Sequence, residues 1–175
     1  MTYSFEQFRD DCHESLADGS DEAALEAVRG NLEKLLMNPA FVAETFMPET
    51  PYGRRVLHHD SETDCYILAH VQKKRPERGA PHSHGASWAV YGNAWNATEM
   101  TVWRRVNPET DDHAELAIKD EYAIRPGTAR AYGPGVIHST AQPDKAYVIR
   151  VTGTDLDKLP RFRFDPARDK ILAEV

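Results

Sequence analysis

Apolar positions fall into two regimes along the chain. Near the N-terminus, Phe5, Phe8, Cys12 and Leu16 recur at the spacing of one helix face. Ser4 stands where a cap belongs and Gln7 three residues on, which together make a capping box. Gly19 interrupts the pattern; Ser20 or Asp21 then starts a second helix carrying Leu25, Val28, Leu32, Leu35 and Leu36. Asn38-Pro39 is a cap followed by a proline at the first helical position, which predicts a short third helix through Phe41 and Val42. Pro48 and Pro51 mark the end of helical periodicity. From Tyr52 onward the runs are short and strand-like: 54–58, 65–72, 87–91, 99–105, 115–124, 129–132, 136–140, 146–152 and 161–164. Gly, Pro, Asn or Asp separates most of them. Many short strands at close spacing predict a sandwich or barrel. The polar stretch 165–175 is expected to pack over the barrel edge or fray. The pattern thus predicts a mainly β fold: a helical segment over 1–50 packed on a barrel over 51–175.

Composition narrows the class. A hydrophobic share of 41% is enough for a packed core, and 28% charged residues of both signs read as a solvated surface. The formal net charge of -7 argues against nucleic acid as a partner, since phosphate binding needs clustered Lys and Arg. Lys73-Lys74-Arg75 and Arg104-Arg105 are too short to supply that. No stretch has the length of a membrane span, and residues 1–11 lack the apolar core of a signal peptide. Two cysteines, Cys12 and Cys65, make neither a CxxC pair nor a disulfide framework. A cytoplasmic monomer or homodimer is expected.

Eight histidines are available for chemistry. His82-Ser83-His84 would place two imidazoles on the same side of a strand, because side chains alternate with period two. Imidazole suits iron, zinc, copper and nickel. A third ligand must come from elsewhere. His138 follows the tight turn Gly133-Pro134-Gly135 at the start of an apolar run. His58, His59 and His70 read as strand surface or core, and His113 sits in an acidic loop. Trp88, Tyr91, Trp95 and Trp103 read as core or wall aromatics; Trp88, close to the histidines, is the candidate for lining a pocket.

The two stretches, Gly79 to Gly92 and Gly127 to Gln142, together resemble the two motifs of the cupins. That resemblance implies a double-stranded β-helix, or jelly-roll barrel, with N-terminal α-helices. It also implies that His82, His84 and His138 converge as metal ligands. The glutamate that cupins commonly add falls at Ala89, so a three-histidine site is left. Such a site is similar to that of the cysteine dioxygenase family. The element Tyr52-Gly53-Arg54-Arg55 ahead of the HxH pair also resembles that family, in which the arginine, here Arg54, binds the substrate carboxylate. Two departures stand out. The family's cross-linked cysteine corresponds to Ala89, and its late-strand His and Tyr correspond to Arg150 and Thr152.

The resemblance implies a mononuclear non-haem iron dioxygenase that oxidises a small thiol carboxylate to a sulfinate with oxygen. Fe(2+) is the expected ion, with Zn, Ni or Mn as alternatives. Arg54 is the expected catalytic anchor, and Arg55, Arg150 and Trp88 complete the expected substrate-binding set. The alternatives are another metal-dependent cupin, such as a carbon-bond-cleaving oxygenase, lyase or isomerase, and a cupin that binds a small ligand and catalyses nothing.

Overall fold

The computed structural model describes residues 2–174. Its N-terminal helices form where the caps predict them. In α1 (Phe5–Leu16) the Ser4 hydroxyl accepts from the Gln7 amide at 3.1 Å, and the Gln7 side chain accepts from the Ser4 amide at 2.9 Å. Asp21 caps α2 (Glu22–Leu36), and Asn38 caps α3 (Pro39–Thr45) with Pro39 at its start. The buried faces carry Phe8, Cys12 and Leu16, then Leu25, Val28, Leu32, Leu35 and Leu36, then Phe41. None of the helices is long and apolar enough to cross a membrane.

Ten strands follow: β1 (Gly53–Asp60), β2 (Cys65–Gln72), β3 (Ala89–Trp95), β4 (Thr98–Arg105), β5 (Leu116–Ile124), β6 (Ala129–Tyr132), β7 (Ile137–Ala141), β8 (Ala146–Thr152), β9 (Arg161–Asp165) and β10 (Lys170–Glu174). One antiparallel sheet has the order β1-β2-β8-β3-β6, and a second has the order β5-β4-β7. A further stretch joins the second sheet without forming a regular strand. Arg75 bridges Gln142, and His82 bridges both His138 and Arg163. With 75–83 counted as a strand, the second sheet runs β5-β4-β7-(75–83)-β9-β10. The chain from β2 to β8 then shuttles between the two sheets in jelly-roll order.

The inner strands of the five-stranded sheet, β2, β8 and β3, are largely buried on both faces, while the edge strand β1 is not. Ile67, Ala69, Val71, Val90, Ile149 and Val151 join one apolar cluster with the three helices. Period-two alternation turns Leu68, His70 and Arg150 the other way, into the barrel. A side chain at Gly92 would place its Cβ 2.6 Å from Leu36, which shows how closely α2 lies on β3. The barrel interior holds a smaller cluster of Met100, Ile124 and Tyr132, with Tyr91, Val102, Tyr122 and Val136 against it.

Two expectations need correction. The stretch 165–175, expected as an edge cover or frayed tail, contributes β10, which pairs with β9. The HxH pair, expected on a strand, lies on a stretch reduced to bridges. There His82 is held by neighbours on both sides, and Gly85 at φ 60 turns the chain out of the sheet.

Candidate metal centre

His82 and His138 exchange both backbone hydrogen bonds, each at 2.9 Å. Residues paired in this way across antiparallel chains point their side chains to the same face. His84, two residues on, joins them. Ring centroids are 4.6 Å apart for His82–His138, 4.8 Å for His84–His138 and 5.5 Å for His82–His84. One nitrogen from each ring lies within 4.8 Å of the others, and among the described residues no carboxylate joins the group. Nitrogens bound to one ion at about 2.1 Å stand at most about 4.2 Å apart. The three rings are therefore a small contraction away from sharing an ion.

The environment prepares them as ligands. Nδ1 of His82 lies 3.2 Å from the Ala80 carbonyl, and Nδ1 of His138 lies 3.3 Å from the Val136 carbonyl. Each Nδ1–H donates to its carbonyl, which leaves Nε2 as the lone-pair nitrogen. His138 is 1% exposed, and its Nε2 is buried with no hydrogen-bond partner. A buried acceptor left unsatisfied is costly, and a metal ion satisfies it. Burial, followed by the proximity of His82 and Arg150, pushes the His138 imidazole down to about 3, against the pull of the Val136 carbonyl. The ring is thus neutral at pH 7, the form that ligates. The donor set fits a divalent ion with positions left for substrate.

Around the triad lies a cavity of about 550 Å³ lined by His82, His138, Tyr91, His70, Gln72 and Arg150, among others. The Tyr91 hydroxyl is 3.2 Å from His84 Nε2. Tyr132 stacks on His138 with centroids 5.1 Å apart, and its hydroxyl shares a 2.7 Å hydrogen bond with Tyr122. Burial, then Tyr122, raises the Tyr132 phenol well above its ordinary range. His70 is lowered to about 4 by burial first and then by Arg150 and Arg54.

The expected substrate-binding residues go to different places. Arg150, on β8, lines the histidine cavity. Arg54 does not; it pairs with Asp157, in the 3-10 turn Leu156–Lys158, and lines a smaller cavity on the other side of Arg150. Arg55 faces the helices, where it donates to the Thr45 carbonyl. Trp88 is 5% exposed and packs in the helix-side cluster, with its indole against Gly153. Trp88 is therefore a core residue and not a pocket wall, because it lies on the opposite face of the sheet. Sequence reasoning passed over Tyr91 and His70 as functional residues. Tyr91 had a signal: it lies two residues beyond Ala89, which stands in the place of the missing glutamate, so alternation puts both on one face. Other histidines pair at the surface, His13 with Asp60 at 2.8 Å and His59 with Asp64 at 3.0 Å.

Jelly-roll strand order, with histidines from the stretch after β2 and from β7, is the arrangement of the cupins. The chain has the cupin fold. No protein-family model matches the sequence, and no curated protein matches it significantly. Among solved structures, a conserved protein of unknown function from Streptococcus pyogenes is 15% identical, with TM-score 0.45, over 65% of this chain and 84% of that one. A cupin-2 domain containing protein from Shewanella frigidimarina is 11% identical, with TM-score 0.45, over 66% of this chain and 91% of that one. The DMSP lyase DddQ from Ruegeria pomeroyi is 10% identical, with TM-score 0.43, over 63% of this chain and 50% of that one. The fold assignment rests on the strand order, and function has to be argued from the site.

Proposed function

We propose that this protein is a mononuclear metal-dependent dioxygenase of cysteine-dioxygenase-like type, with iron(II) on His82, His84 and His138. The observation that supports this reading most is the buried, partnerless Nε2 of His138 beside two further imidazoles. The reaction converts a thiol carboxylate to its sulfinate. Both oxygen atoms of dioxygen end on sulfur, which loses four electrons as dioxygen gains four, so no further reductant is needed. His82, His84 and His138 would hold the ion, which when bound would supply a positively charged redox centre for thiolate and dioxygen, since neutral imidazoles leave its charge uncancelled.

The chain's own groups do the rest. Arg150 replaces Arg54 as the group that orients the anionic end of the substrate, because it lines the histidine cavity, whereas Arg75, which also lines it, already donates to Thr140 and Gln142. The phenol expected on the late strand is absent: Thr152 stands there, and its hydroxyl donates to the Thr154 carbonyl at 2.8 Å. Tyr91 brings a phenolic proton to the site from β3 instead. The same hydroxyl favours a second reading, a metal-dependent lyase or isomerase, since a positioned phenol also serves proton transfer.

The test is an oxygen-electrode assay on protein purified without a histidine tag and loaded with iron(II), over a panel of small thiol carboxylates. Oxygen uptake with sulfinate formed in equal amount is expected for at least one of them. Bound iron with no oxygen uptake across the panel would leave the lyase or isomerase reading in its place.

A further inference from the structure

We propose that Arg150 is a preformed receptor for a carboxylate, and that the substrate carries no ammonium group; this rests on the reading of the histidine cavity as the substrate site. Arg150 is 9% exposed and lies on β8, inside the five-stranded sheet between β2 and β3. Its backbone pairs with Leu68 and Tyr91 in the sheet, but its side chain makes no hydrogen bond or ion pair with any described residue. A guanidinium buried in this way without a counter-ion is costly, and chains seldom keep one that has nothing to meet. Its planar fork matches a carboxylate with two parallel hydrogen bonds.

The other cations of the cavity are already engaged. Arg75 donates to the Thr140 carbonyl at 2.8 Å and to Gln142 Oε1 at 3.1 Å, and Lys73 sits over the Tyr52 ring at 5.3 Å from its centroid. Arg150 is therefore the one of the three with its donors uncommitted.

The same wall argues against a positive group on the ligand. Lys73, Arg75 and Arg150 all line the cavity, and among the described residues no Asp or Glu does; Asp155 and Asp157 line the separate, smaller cavity that Arg150 also borders. An ammonium would meet three cations, and a metal when one is bound, with no carboxylate to receive it. Gln72 Oε1 lacks a donor, but it is sealed from solvent and has no surface to offer a ligand. Among thiol carboxylates, the wall selects those without an α-amine over cysteine itself.

Calorimetric titration of the metal-loaded protein tests this with three probes: 3-mercaptopropionate, 3-mercaptopropionamide and cysteine. The acid is expected to bind at least about tenfold tighter than either of the others, since a charged hydrogen-bonding partner is gained in one case and an ammonium is avoided in the other. Arg150→Met should abolish the preference of acid over amide, and Arg54→Ala should keep it. The wild-type ranking needs no variant, so it decides the matter even where Arg150→Met fails to fold. Equal binding of acid and amide, cysteine binding as tightly as 3-mercaptopropionate, or a preference retained in folded Arg150→Met each overturns the proposal. Oxygen uptake on the same preparations reports separately: the ranking without uptake upholds the anion site and removes thiol oxidation, and uptake without the ranking does the reverse.

Discussion

His138 combines burial with an unmet lone pair, and its surroundings set how the apoprotein responds to acid. Burial holds His138 at about 3 and His70 at about 4, below the ordinary histidine value. Between those values and about 6.5 the unfolded chain binds protons that the folded chain does not. Their contribution therefore lowers the stability of metal-free protein as pH falls through that window, and raises it as pH rises. The urea midpoint of apoprotein should climb between about pH 4 and pH 6.5, and His70→Leu should flatten the climb. An unchanged slope in that variant would show that His70 titrates normally. At this scale the three histidines were legible in the sequence, because their spacing around a turn and an HxH pair is local. The destinations of Arg54 and Trp88 were not. Each is fixed by a partner far along the chain, Asp157 for one and Gly153 for the other.

Elements were legible in proportion to how locally they are determined. The helix starts at Ser4, Asp21 and Asn38 could be read because a cap and the backbone N–H that donates to it lie within three residues. The bridges at His82 and the β9–β10 hairpin could not, since their pairing depends on chain segments with no local signature. Packing between elements is similarly hidden. A Cβ at Gly153 would lie 2.4 Å from the Trp88 indole nitrogen, and Trp88 is enclosed by the helix-side core. Gly153→Ala should therefore destabilise the fold by about 1–3 kcal/mol through overpacking. Chemical denaturation measures the loss, and a shifted tryptophan emission would accompany it. A neutral substitution would mean that Trp88 has room to move, as a pocket wall would.

In the whole molecule, the helices occupy one face of the five-stranded sheet and leave its other face to the barrel interior. That division lets an apolar core and a polar site share one sheet. The strand count made a barrel legible, but the order of the strands emerges only from pairing, and the order is what brings His138 beside His82. Because the ligands come from separate stretches of the folded chain, an ion bound to all three favours the native state over the unfolded one. The most direct test of the central claim is the metal content of protein purified without a histidine tag, comparing wild type with His138→Ala and with His113→Ala as a surface control. About one ion per chain is expected in wild type and His113→Ala, with occupancy falling to roughly a tenth or less in His138→Ala, since two imidazoles hold an ion far more weakly than three. Full occupancy in folded His138→Ala would contradict the account.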